Sequence, residues 1–376
     1  MNNIAILVYD YSLLGGVQKV TRNLAELMHD KGWPIKCVIS LHDSKEIQFD
    51  YPVKVEVAEE KKPLESQILD ILNRYEIGNV IVQVENLKFL YPIINSIRQN
   101  GCQVYPVLHN SPYYWIRKYY DWYKYVQSPR RIVQYLKMAL YWKPLHLKLF
   151  RRIVSSCGMI CVSQQAHQEL CDILGLPTDT EKIKYIYNPV GISGYDLPDG
   201  EKKNNILYAG RLSIEKRPML MLRLWKDVSD KYPDWNFYIL GDGPDRRAME
   251  RYIVSNHLQR VHLQGSVTNV ADFLNESKIS LLLSKYEGLP TSILEAGVSL
   301  NALVVAQNDG GTSDIVKNGE NGYIINVSDY YSLKNHLITL MEVNGAKALQ
   351  MGKKNAAILE KFDDKYILAA WQDTLQ

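Results

Sequence analysis

A chain of 376 residues, 46% hydrophobic and 23% charged with a net charge of +3, is too long for one ordinary domain and too apolar to stay disordered. No apolar run approaches the ~20 residues of a membrane-spanning helix. Five cysteines (Cys37, Cys102, Cys157, Cys161, Cys171) are odd in number, scattered through apolar stretches and without a second pair at zinc-site spacing, so they read as buried thiols of a reducing cytoplasm.

The opening MNNIAILVYDY lacks the basic region and cleavage site of a signal peptide and reads as a buried first strand. Apolar runs then predict strands at Ile4–Val8, Ile35–Ser40, Asn79–Val84, Val104–Leu108 and Met159–Val162. Helical patterns fall at about Gly16–Lys31, Leu64–Tyr75 and Gln164–Leu174. After a stretch rich in Pro, Gly, Asn and charge, Asn188–Asn205, the alternation resumes. Strands are expected at Ile206–Ala209, Phe237–Leu240, Val261–Gln264, Ile279–Leu283, Leu303–Ala306 and Gly322–Ile325. Helices are expected at Pro218–Lys231, Asp245–Ser255, Val270–Asn275, Thr291–Val298 and Tyr331–Val343. Such alternation predicts an α/β protein of two Rossmann-like, doubly wound domains, residues 1–190 and 191–360, facing a cleft. Ligands of such sheets bind outside the carboxyl ends of the strands, so the strand-end loops are where chemistry is sought.

Gly15 and Gly16 follow the first strand and let backbone approach a ligand closely, with the amino end of a helix behind them. His109 ends the fourth strand, where its ring is either a cleft group or a satisfied core histidine. Arg211 and Lys216 follow the first strand of the second half, and two cations at a strand end suit a diphosphate. The glycines of GDGP, from Gly241 to Pro244, read as turn residues. In YEGLPTSILEAG, Glu287 lies in a strand-end loop and Glu295 about one turn into the next helix. Between them the start of that helix favours phosphate, while each carboxylate is suited to sugar hydroxyls.

These residues carry a resemblance. GRLSIEKRP followed by EGLPTSILE is similar to the retaining glycosyltransferases of the GT-B fold, family 4-like (group 1), whose hallmark is Glu, seven residues, Glu. The resemblance extends from the Gly15-Gly16 loop, through ICVSQQAHQEL and IYNPV, to NGENGYII. It implies transfer of a hexose from a nucleotide diphosphate sugar, a UDP-sugar by preference, to an acceptor hydroxyl with retention. It implies that Arg211 and Lys216 bind the diphosphate, that Glu287 borders the transferred sugar, that Leu289 is among the donor-binding residues and that Glu295 bonds the ribose. His109 then lies beside the sugar and the Gly15-Gly16 pair near the diphosphate. No cofactor is implied, and with no Asp-x-Asp triplet in the chain no metal is expected. The last helix, about Lys361–Gln376, is expected to return to the first domain. The chain departs from the family at Asn301 and Leu303, where a turn keeps its shape if Asn301 turns left-handed, and at Ser313 and Asp314.

From Tyr113 to Arg152 the chain holds ten Lys or Arg against one acid, and twelve aromatics. Trp115, Trp142 and their neighbours suit headgroup depth, and the cations suit anionic lipid. The segment therefore predicts a peripheral enzyme on the inner face of the cell membrane, acting on a lipid-linked or cell-surface glycan. An ordinary basic helical face packed by aromatics is the simpler alternative. Two further alternatives are a sugar-nucleotide hydrolase or epimerase of the same fold, and a single-stranded nucleic-acid binder using this segment. Nucleic acid is not expected as a partner, because the segment reads as helices with apolar faces.

Overall fold

The computed structural model describes residues 1–13, 15–45, 50–59, 62–116, 133, 136–190 and 201–375. It divides into two compact units, Met1–Pro189 together with Asp364–Gln376, and Val190–Asp363.

In the first unit β1 (Asn3–Asp10), β2 (Ile35–His42), β3 (Lys54–Val57), β4 (Ile77–Val84), β5 (Gln103–Leu108), β6 (Met159–Cys161) and β7 (Ile183–Tyr185) form one sheet in the order β3-β2-β1-β4-β5-β6-β7. Every pairing is parallel. Helices α1 (Gly16–Asp30), α2 (Leu64–Arg74), α3 (Leu87–Gln99), α4 (Lys143–Cys157) and α5 (Gln164–Leu174) connect the strands. Ile4 to Val8 are fully buried, as a central parallel strand covered on both faces requires. β3 and β7 escape the sequence reading because KVEV and IKY are too short and too polar to show a buried run. α3 escapes it as well, and its Pro92 removes one ladder N–H. Five buried side chains (Leu87, Leu90, Ile93, Ile94, Ile97) outweigh that loss at about 1.5–3 kcal/mol each, and the Asn86 side chain caps the helix by accepting from Phe89 N at 3.2 Å.

In the second unit β8 (Lys203–Ala209), β9 (Asn236–Leu240), β10 (Val261–Gly265), β11 (Ser277–Leu282), β12 (Ala302–Ala306) and β13 (Gly322–Ile325) form a second parallel sheet, ordered β10-β9-β8-β11-β12-β13. Its helices are α6 (Pro218–Val228), α7 (Arg246–Ser255), α8 (Val270–Glu276), α9 (Thr291–Val298), α10 (Thr312–Ile315), α11 (Tyr330–Gly352) and α12 (Asn355–Ile358). α11 is interrupted by a non-helical turn at Glu342–Gly345. α13 (Asp364–Leu375) belongs to the first unit, where Asn79 Nδ2 donates to Leu375 O at 3.4 Å.

The amino ends of this second sheet are locked by a buried lysine. Lys202 Nζ donates to the carbonyls of Leu274, Asn275 and Ser277 and to Asn301 Oδ1, at 2.6–3.1 Å. Asn301 in turn donates to Ser280 Oγ at 2.9 Å. The left-handed residue of this turn is Leu300, φ 57°, and not Asn301 as expected. Asn301 is fully buried as the polar link between Lys202 and β11.

Candidate active site

Both sheets reverse their winding beside the first strand, and the residues expected to act lie at those reversals. In the second unit the reversal is between β8 and β11. After β8, a 3-10 turn (Ile214–Lys216) presents Lys216, while Arg217 takes a left-handed conformation and donates from Nη1 to Leu283 O at 2.7 Å. That bond ties the cationic loop to the end of β11, and Lys285 N to Glu215 O at 2.8 Å ties it a second time. Lys216 Nζ consequently meets Glu287 Oε1 at 2.5 Å, the two side chains 22% and 12% exposed. Between Glu287 and Glu295 the sequence offers no neutralising cation. The partner arrives from 71 residues upstream because β8 and β11 are neighbours in the sheet.

Arg211 is exposed in the same loop, and its carbonyl accepts from Tyr208 Oη at 2.8 Å. Gly241 and Gly243, both at positive φ, do more than make a turn. A Cβ on Gly241 would stand 2.1 Å from Gly210 O, and one on Gly243 2.3 Å from Leu212 O. The glycines therefore let the GDGP loop press against the Arg211 loop, and Leu212 N donates to Asp242 O at 2.8 Å. Beyond Glu287, Leu289 and Pro290 are buried, and no side chain caps the first turn of α9. No acidic residue stands in that first turn either, so no side-chain charge offsets the helix dipole there. Glu295, the fifth residue of α9, is buried. Ser313 and Asp314 lie in the short α10, beside the Gly311 N to Gly288 O bond of 2.7 Å that joins this loop to the Glu287 loop.

In the first unit the reversal is between β1 and β4. Gly15 is the residue before α1, which also has no side-chain cap. A Cβ on Gly15 would stand 2.4 Å from Gln18 Oε1, whereas Gly16 has open space around it. The Gln18 side chain folds back over Gly15, and its Nε2 donates to Asp10 O at 2.9 Å and Glu85 Oε1 at 3.2 Å. His109 follows β5, and its Nε2 contacts Gln83 Oε1. Burial pulls the His109 pKa down to about 4, so the ring is neutral near pH 7.

Gln18, Gln83 and Glu85 are site-edge residues that the sequence reading passes over. A signal was present, since VQVEN carries a polar residue at alternate positions where a buried strand ends. Of Tyr113–Arg152, residues 117–132, 134 and 135 lie outside the described residues, Trp122, Tyr123, Arg130 and Arg131 among them. Within the described part Leu136, Leu140 and Tyr141 are 47%, 75% and 48% exposed. No helix among the described residues is long and apolar enough to cross a membrane.

Two parallel, doubly wound sheets with strand-end loops of this composition define the GT-B class of fold. Residues 196–357 match the family described as Glycosyl transferases group 1. The chain is 31% identical over 130 residues to the 2-deoxystreptamine N-acetyl-D-glucosaminyltransferase of Niallia circulans, covering 34% of this chain and 33% of that protein. It is 28% identical over 217 residues, 54% of this chain and 59% of the relative, to a Campylobacter jejuni GalNAc-alpha-(1->4)-GalNAc-alpha-(1->3)-diNAcBac-PP-undecaprenol alpha-1,4-N-acetyl-D-galactosaminyltransferase. The chain thus spans less than two thirds of either relative's length. A mutant of S. aureus TarM, solved with fondaparinux, alpha-GlcNAc-glycerol and UDP, superimposes with a TM-score of 0.79 at 16% identity, over 99% of each chain, which establishes the fold.

Proposed function

We propose that the protein is a retaining glycosyltransferase that moves a hexose from a UDP-sugar to a hydroxyl of a lipid-linked or cell-surface glycan. The observation that carries this reading is the Lys216–Glu287 pair at the β8–β11 reversal, with Arg211 exposed in the Lys216 loop and the uncapped start of α9 following Glu287. Arg211 and Lys216 are suited to the donor diphosphate, Glu287 to the transferred sugar, Leu289 to the donor and Glu295 to the ribose. His109 and the Gly15-Gly16 loop keep the roles beside sugar and diphosphate that the resemblance implies. The printed names of relatives support the substrate classes: one acts on an undecaprenol-diphosphate glycan, and TarM was solved with UDP.

In this mechanism the acceptor hydroxyl attacks the anomeric carbon from the face that the diphosphate leaves. The bond to the phosphate oxygen breaks with its electron pair, and the hydroxyl proton passes to that oxygen. Catalysis rests on holding the charge that develops there, by Lys216, Arg211 and the amino end of α9. No metal is assigned to this work, because the cations already stand at the strand end. No cofactor is assigned either. The basic aromatic segment docks the protein on the anionic inner face of the cell membrane, where exposed Leu136, Leu140 and Tyr141 lie among Lys137, Lys143 and Lys148.

The test is turnover of UDP-sugars by Lys216→Ala and Arg211→Ala, with and without EDTA. Each substitution is expected to lower kcat about 10²–10³-fold, the cost of removing one stabiliser of transition-state charge. EDTA is expected to leave the wild type active. Wild-type rates in both variants would remove these residues from the mechanism.

A further inference from the structure

Glu85 stands in contrast to Glu287. It leaves the end of β4 half-buried, and among the described residues its one hydrogen bond comes from the neutral Gln18. Strand register shows what else faces it. Gln83 pairs with Val107, and Glu85 and His109 directly follow the ends of these two neighbouring strands. Leu7 pairs with Val82, which places Asp10, three residues on, level with Glu85. Asp10 is spent on local bonds, accepting from Ser12 N at 2.9 Å, Ser12 Oγ at 2.8 Å and Ser44 N at 3.0 Å. Glu85 is not spent. Gln83 is 1% exposed with its Oε1 on the His109 ring, and its Nε2 has no acceptor among the described residues.

A carboxylate without a cation and, two residues before it, a buried amide donor without an acceptor are both costly alone. An alcohol resolves both, since its O–H donates to a carboxylate while its oxygen accepts from an amide. We propose that Glu85 and Gln83 bind a sugar hydroxyl of the acceptor, Glu85 accepting its hydrogen bond and Gln83 donating to its oxygen. This rests on the glycosyl-transfer reading above and adds to it the residues that recognise the acceptor.

The protonation of Glu85 follows. Burial first, and then the Asp10 charge, push its carboxyl up to about 7, against the lowering effect of the Gln18 bond. The groups facing it are Asp10 from β1, the neutral Gln18 from α1 and, through Gln83, the neutral His109 from β5. The accepting carboxylate therefore forms as pH rises through about 7, and kcat/KM for the acceptor should rise with it.

The experiment measures KM for donor and acceptor separately in the wild type, Glu85→Gln and Glu85→Ala. A UDP-sugar and a polyprenyl-diphosphate-linked N-acetylhexosamine serve as the substrates, and UDP affinity is measured in parallel. A hydrogen bond to a charged group contributes about 1.5–3 kcal/mol, so acceptor KM in Glu85→Ala should rise about 10–100-fold. Donor KM and UDP affinity should be unchanged, and the rise with pH should flatten in both variants. Glu85→Gln keeps the shape of the side chain and an oxygen for Gln18, so it guards against misfolding. Unchanged acceptor KM in both variants, with the wild-type pH profile, overturns the proposal and leaves the glycosyl-transfer reading standing. A wild type that binds UDP in no assay and makes no product from any UDP-sugar overturns that reading, and the assignment of Glu85 with it.

Discussion

His109 shows how much a single side chain owes to its surroundings. The ring ends a buried strand against Gln83, and its pKa of about 4 lies below the ordinary value of 6.5. The folded state thus resists protonation that the unfolded chain accepts. Stability linked to this ring is complete above about pH 6.5 and is lost as pH falls towards 4. The melting temperature of the wild type should therefore fall more steeply between those values than that of His109→Gln, and parallel curves would show that the ring is not shielded. The position of His109 was legible in VLHNSP, as were Glu287 and Glu295 in their spacing. The partners were not: Lys216 meets Glu287, 71 residues away, only because β8 and β11 become neighbours. The same holds for Gln18, whose fold-back over Gly15 towards Asp10 and Glu85 no local pattern announces.

Among the elements, long apolar strands such as β1, β4 and β12 were legible from their runs of Ile, Leu and Val. β3 and β7 were not, being three or four residues at the sheet's edge, nor was α3 with its internal proline. The start of β8 hides a further device. Lys202 presents its ammonium to four acceptors that hold the starts of β11 and β12, and nothing in GEKKNN marks it apart from its neighbours. Replacing it by methionine leaves buried acceptors unsatisfied and should cost about 2–4 kcal/mol of stability. Chemical denaturation measures this, and an unchanged midpoint would show that water substitutes for the ammonium. The basic aromatic segment makes its own prediction. Binding should be strong to anionic vesicles and weak to zwitterionic ones, and should fall with salt. Serine at Arg130, Arg131, Arg151 and Arg152 should release the protein. Equal binding to both vesicle types would leave the segment an ordinary solvated face.

At the scale of the molecule, the two parallel sheets follow from the alternation of apolar runs and amphipathic segments, and the chain superimposes on TarM over 99% of its length at 16% identity. So low an identity fixes the architecture and leaves the reaction to be argued from side chains. The account's central claim is that the cations of one strand-end loop stabilise a diphosphate leaving from the same face that the acceptor enters. The most direct measurement is the anomeric configuration of the transferred sugar, read by proton NMR of the product against that of the UDP-sugar consumed. The account predicts the donor's configuration retained in the product. A product of inverted configuration would contradict it.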